Sequence, residues 1–146
     1  MDEIRPWLFI GRLRDTLDNN YLRYKSIQAM LQLAEEVRQP DIAHLYLPVE
    51  DFAPLKFSLL EKGVAYILEQ KRLGNRVLVA CGAGINRSST FCIAALKEEE
   101  GLSLFEAFKE VKRKHPESMP HGPVWESLCS YYGEDFPYLD ILRFRP

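Results

Sequence analysis

Cys81 and Arg87 are separated by Gly82, Ala83, Gly84, Ile85 and Asn86, and Ser88, Ser89 and Thr90 follow at once. A thiol and a guanidinium at the two ends of a glycine-bearing turn can address one tetrahedral dianion. Glycine lets the backbone curl without a Cβ in the way, so that successive N–H groups converge into an anion nest. Arg87 offers a planar fork that binds a pair of phosphate oxygens at once. The positive surroundings favour the thiolate form of Cys81, and Ser88 is placed to donate a hydrogen bond to that sulfur. Attack by sulfur on phosphorus gives a phosphocysteine, which water hydrolyses. The amides around Gly82, Ala83, Gly84, Ile85 and Asn86, with Arg87, would balance charge on the equatorial oxygens. This chemistry needs no metal and no other cofactor. A Cys–Arg pair at this spacing is by itself a weak signal. The alternative is a buried cysteine beside an ordinary glycine turn.

The leaving oxygen also needs a proton. The segment Leu47-Pro48-Val49-Glu50-Asp51-Phe52-Ala53-Pro54 supplies carboxylates just after a predicted strand. Open parallel sheets place their sites at the carboxyl ends of the strands. Asp51 is the candidate general acid, and Glu50 is the second choice.

The elements that must position these groups follow from residue patterning. Val77-Leu78-Val79-Ala80 is rich in β-branched residues and bracketed by turn signals, so a buried strand leads into Cys81. Arg87 to Glu100 reads as a helix ended by Gly101. That order, strand to glycine turn to helix start, adds the free amides and dipole of a helix N-terminus to the nest. Upstream, Trp7-Leu8-Phe9-Ile10 with Gly11 reads as a short strand, Asp18 to Lys25 as a short helix, and Ala43 to Leu47 as a buried strand. Ser26 to Glu36 fits neither period. Phe57, Leu60, Val64, Ile67 and Leu68 share one helical face, and that helix stops before Gly74. Ser103 and Glu106 form a capping box for the next helix, and a last one covers Gly122 to Tyr132. Strands interleaved with helices, then helices alone, predict an α/β fold with a central, mostly parallel sheet.

The 146 residues fit one domain, 1–146, with a core of its own. A net charge of -2 gives no positive field to attract nucleic acid or anionic membrane. The start, Met1-Asp2-Glu3-Ile4-Arg5-Pro6, lacks the pattern of a signal peptide, and no apolar run approaches the ~20 residues of a membrane span. The cytoplasm is the expected compartment. Of the three cysteines, Cys92 and Cys129 read as core residues, and no spacing suits a metal.

At this point the sequence resembles the dual-specificity branch of the protein tyrosine phosphatase superfamily. The run from Cys81 to Ser88 fits that family's Cys-x5-Arg-Ser/Thr signature, Asp51 lies where the family places its general acid, and Ile4-x-Pro6-x-Leu8-x-Ile10-Gly11 is similar to its first strand. The likeness runs from about residue 4 to residue 132. It implies a sheet of about four to five strands flanked by helices, and it implies that Ser26 to Leu33 is a strand. It also implies hydrolysis of phosphomonoesters, phosphotyrosine above all and phosphoserine or phosphothreonine with it. The partners are then a phosphorylated protein or other phosphomonoester and the product, inorganic phosphate. The chain departs from the family pattern twice. Ala80 stands where a histidine usually precedes the nucleophile, and Pro120-His121 where many relatives have Pro-Asn.

No lysine lies between Cys81 and Arg87, unlike the basic loops of phosphoinositide phosphatases. Asn86-Arg87 is similar to the RNA 5′-triphosphatase branch, although Thr-His is missing after the cysteine. Other readings are a phosphate-binding module without catalysis, motivated by Ala80, and sulfur transfer or arsenate reduction, for which Cys92 is the one nearby second thiol. Lys109, Lys112, Arg113 and Lys114 read as the cationic end of a helix. Arg12 and Arg14 are candidates for the mouth of the site, and Trp125, Tyr131 and Tyr132 read as core aromatics.

Overall fold

A computed structural model describes residues 1–146. Five strands form one sheet in the order β1-β2-β5-β3-β4. These are β1 (Asp2–Arg5), β2 (Leu8–Arg12), β3 (Ala29–Gln32), β4 (Ala43–Tyr46) and β5 (Val77–Cys81). β2, β5, β3 and β4 run parallel, and β1 pairs antiparallel at the edge. The helices are α1 (Leu13–Thr16), α2 (Asn19–Tyr24), α3 (Phe57–Arg72), α4 (Arg87–Glu100), α5 (Leu104–Lys114), α6 (Gly122–Tyr132) and α7 (Tyr138–Arg143).

β5 occupies the middle of the sheet because all its residues are apolar and suit burial on both faces. Side chains alternate along it. Val77, Val79 and Cys81 join the large core, whereas Leu78 and Ala80 join a small cluster with Phe9, Leu22, Ile27 and Met30. α4 packs on the large-core side and is buried from Ser88 to Leu96. It approaches α3 closely: a Cβ on Gly63 would come within 2.2 Å of the Phe91 ring. Only glycine permits that contact.

One strand expectation needs correction, and one strand was not expected. Ala43 to Leu47 was expected to be buried, but β4 is an edge strand with Ala43 exposed and the rest half-buried. β1 has no counterpart in the local pattern, since Asp2, Glu3 and Arg5 interrupt any apolar run; charged residues suit an edge that meets solvent. The ambiguous stretch holds β3 at Ala29–Gln32, fully buried between β4 and β5, so tertiary burial decides what local periodicity leaves open. α3, α4, the capping box of α5, and α6 lie where patterning puts them, while the short α1 and α7 fall below its reach. No helix is long and apolar enough to cross a membrane.

Candidate active site

β5 ends at Cys81, residues 82–86 form the turn, and α4 begins at Arg87, so the segment lies at the carboxyl edge of the parallel strands. Cys81 is buried at the floor of this turn, with Sγ 3.1 Å from Ser88 Oγ. The serine hydroxyl can donate to a thiolate there.

Four of the turn's five carbonyls are held by a donor from outside it. Gly82 O accepts from Leu13 N at 3.5 Å. Gly84 O accepts from His115 Nε2 at 2.7 Å. Ile85 O accepts from Ser89 Oγ at 2.6 Å and from Met119 N at 2.9 Å. Asn86 O accepts from Thr90 Oγ1 at 2.9 Å. In a planar trans peptide the N–H opposes the C=O, so tying these oxygens outward turns the following amides the other way. None of the backbone N–H groups of residues 82–86 donates to a protein acceptor. Gly84 takes φ +71°, and a Cβ there would lie 3.1 Å from the Gly11 carbonyl. That is the left-handed region, under a ceiling of backbone.

Arg87 is anchored from behind. Its Nη1 donates to Val49 O at 3.0 Å, and its buried Nε has no protein acceptor. Nη2 lies 3.9 Å from Asp51 Oδ2. The Asp51 segment is tied to the turn as well: Asn86 Nδ2 donates to Asp51 Oδ1 at 2.6 Å, and His121 N donates to Asn86 Oδ1 at 2.7 Å. Phe52 has φ +62° and stacks on His121 with ring centroids 4.2 Å apart. A left-handed conformation in a side-chain-bearing residue costs about 1–2 kcal/mol, and here it brings a phenyl ring to the pocket. That pocket, about 130 Å³, is lined by Asp51, Phe52, Cys81, Ala83, Ile85, Asn86, Arg87 and His121.

The structure thus brings Cys81, Arg87, Ser88 and Asp51 together with the turn residues. Glu50 lines a separate small cavity with Pro48, Pro54, Leu55 and Leu59. Arg12 and Arg14 also stand outside: Arg12 pairs with Glu117 at 3.5 Å, and both line a neighbouring hollow. Cys92 is fully buried, and its thiol pKa is raised by burial and by the nearby Cys81. Trp125 is a core residue, whereas Tyr131 and Tyr132 are only half-buried and reach Glu61 and Glu98 with their hydroxyls. The basic end of α5 is engaged locally: Lys112 donates to Ser118 O at 2.8 Å, and Arg113 pairs with Glu110.

Both departures from the family pattern have structural counterparts. Ala80 contributes only a methyl group to the small apolar cluster. At His121 the backbone N–H, not the ring, makes the bond to Asn86, while the ring stacks on Phe52. Sequence reading missed His115 and Phe52 altogether. His115 follows a run of cations at a helix end, and only the fold reveals that it reaches Gly84, 31 positions away.

Comparison with known proteins gives a consistent result. The family model described as dual specificity phosphatase, catalytic domain, matches residues 8–134. Human dual specificity protein phosphatase 16 is 35% identical over 133 residues, which cover 88% of this chain and 20% of that protein. Human dual specificity phosphatase 28 is 31% identical over 132 residues, covering 88% of this chain and 75% of that one. The crystal structure of human DUSP28 superposes with a TM-score of 0.85 at 28% identity, over 91% of this chain and 96% of that chain. The chain therefore spans about a fifth of the longer of these two curated relatives and most of the shorter.

Proposed function

This chain belongs to the dual specificity phosphatase family, and we propose that it hydrolyses phosphomonoesters through a phosphocysteine on Cys81, with phosphorylated proteins as its substrate class. The observation that carries the reading is the turn itself. Five consecutive free amides, at residues 82–86, lie between a buried sulfur and an arginine whose Nε is also unpaired. Converging donors without a protein partner suit an anion, and a phosphoryl group matches their number and charge.

In this mechanism Gly82, Ala83, Gly84, Ile85 and Asn86 bind phosphate oxygens through their backbone, and Arg87 clamps a further pair. Cys81 attacks in line. Asp51 protonates the departing oxygen, then accepts a proton from the water that releases inorganic phosphate. Ser88 donates to the sulfur when it carries negative charge. No metal takes part. Phe52 and Ile85 at the rim give an aromatic leaving group an apolar wall, which favours phosphotyrosine; the shallow pocket leaves phosphoserine and phosphothreonine within reach. Residues 1–146 act as one catalytic domain, working in the cytoplasm, where cysteines stay reduced.

A second reading is a phosphate-binding module without turnover. It is favoured by Ala80, which places no polar side chain beside Cys81. Hydrolysis of p-nitrophenyl phosphate in excess chelator separates the two. The enzyme reading expects metal-independent turnover that falls roughly 10⁴-fold or more in Cys81→Ser, with tungstate binding preserved. Full turnover in Cys81→Ser would overturn the mechanism. Tungstate binding without turnover in the wild type would establish the binding module. A panel of phosphopeptides and 5′-triphosphorylated RNA then fixes the substrate.

A further inference from the structure

We infer that His115, backed by Asp2, is a positioning residue for the anion-binding turn and acts as a doubly protonated ring. The inference deepens the phosphatase reading and rests on that reading's anion-binding turn. His115 follows α5 directly, and its side chain is 3% exposed. Nε2 lies 2.7 Å from Gly84 O, and Nδ1 lies 2.6 Å from Asp2 Oδ2 on β1. Both partners are acceptors only. A neutral imidazole carries one N–H and would set a lone pair against one of the oxygens. The imidazolium satisfies both contacts, and the Asp2 carboxylate balances its charge.

The other charged groups on this side fit that assignment. Glu117, in the segment after α5, has Oε1 3.6 Å from His115 Nδ1. Arg12, at the end of β2, pairs with that same Glu117 oxygen at 3.5 Å. Asp15 on α1, which lines the same hollow, pairs with the Met1 ammonium at 3.6 Å. Arg14 of α1 lines the same hollow, but the ring's direct charged partners are the carboxylates of Asp2 and Glu117.

The consequence for the turn follows from peptide planarity. His115 pulls the Gly84 carbonyl outward, so the Ile85 N–H must point the opposite way, with the other amides of the nest. Gly84 has no Cβ to oppose a flip of this peptide. A bond from a buried cation to that one oxygen holds the orientation before any anion arrives. It also places positive charge behind the nest. His115 touches neither substrate nor Cys81; it acts through the Gly84–Ile85 peptide.

The experiment uses the full chain with His115→Gln and Asp2→Asn. Gln keeps a donor without the charge; Asn keeps an acceptor for Nδ1 without the counter-charge. Nitrogen-15 spectra of the wild-type ring at pH 7 should show both nitrogens protonated. Tungstate protection of Cys81 against alkylation should require about tenfold more tungstate in His115→Gln, with a smaller increase in Asp2→Asn. With p-nitrophenyl phosphate, KM should rise more than kcat falls. Thermal melting identifies any variant that is not folded; if His115→Gln fails to fold, the ring spectra and Asp2→Asn decide. One protonated ring nitrogen in the wild type would overturn the inference, and so would unchanged protection and kcat/KM in a folded variant. Wild-type protein that protects Cys81 with tungstate but turns over no phosphomonoester would instead end the phosphatase reading and leave this one standing.

Discussion

Asn86 donates its side-chain amide to Asp51 Oδ1 at 2.6 Å, so the residue just before the turn's arginine also fixes the carboxylate that faces it. The same Asn86 receives His121 N on its own oxygen, and both ends of its amide are therefore committed. In the proposed mechanism, with Oδ1 occupied by a donor, the proton that Asp51 delivers sits on Oδ2, the oxygen on the Arg87 side.

Asp51→Asn should slow hydrolysis of phenyl phosphate by about 10²–10³-fold and leave a substrate with a much better leaving group nearly unaffected. Asn86→Ala should lower kcat by about tenfold through loss of the tether, with a smaller change in KM. Steady-state rates across a series of aryl phosphates check both. An equal loss for every leaving group would remove Asp51 from the role of acid.

Gly84→Ala tests the curvature of the turn. A side chain at φ +71° costs about 1–2 kcal/mol, and the new Cβ would press on the Gly11 carbonyl at 3.1 Å. The predicted result is a folded protein with a lower melting temperature and tungstate affinity reduced by about tenfold or more. Wild-type affinity in this variant would mean that the turn binds anions in another shape.

The two buried thiols should differ sharply in reactivity. Burial pushes the Cys92 thiol pKa up, and the neighbouring Cys81 adds to the rise, so Cys92 stays protonated and closed to reagent. Cys81 lies at the floor of an open pocket. Iodoacetamide at pH 7, followed by peptide mass spectrometry, should label Cys81 and not Cys92, and phosphate should suppress the labelling. Labelling of Cys92 at a comparable rate would contradict the buried placement. It would also reopen the arsenate-reduction reading that needs a second reactive thiol.

The site was legible in the sequence where its chemistry is local. Cys81, the glycines, Arg87 and Ser88 are contiguous, and the strand and helix around them carry strong patterns. Asp51 was legible as a carboxylate after a strand, since sheets present their loops at one edge. His115 was not, because its bonds to Gly84 and Asp2 span 31 and 113 positions and leave no periodic trace. β1 and the edge position of β4 were hidden for a related reason: an edge strand is defined by what fails to cover it, which local composition does not encode. Phe52 is a turn residue whose positive φ accompanies its stack on His121, again a tertiary fact.

The last prediction concerns the strand that carries Asp2. Arg5, at the far end of β1, donates from Nε and Nη2 to Glu100 at 2.7 and 3.0 Å, and from Nη1 to Glu110 at 2.9 Å. It thereby pins the edge strand to the ends of α4 and α5. The hydrogen bond from Arg5 is the main cause that holds the Glu100 carboxyl below its ordinary value, opposed by partial desolvation. A carboxyl depressed in the folded state stabilises the fold above the unfolded-state pKa of ~4.3 and loses that contribution as pH falls through the folded-state value. The groups are partly exposed, which limits the effect to about 1 kcal/mol or less. Arg5→Gln should therefore melt at most about 2–4 °C below wild type at pH 7, and the gap should close as the pH is lowered through the carboxylate range. A gap that persists unchanged at low pH would assign the loss to packing of the arginine stem, not to the ion pair. Because β1 also brings Asp2 to His115, the same variant should weaken tungstate protection of Cys81 only slightly, unless fraying of β1 reaches its first residues.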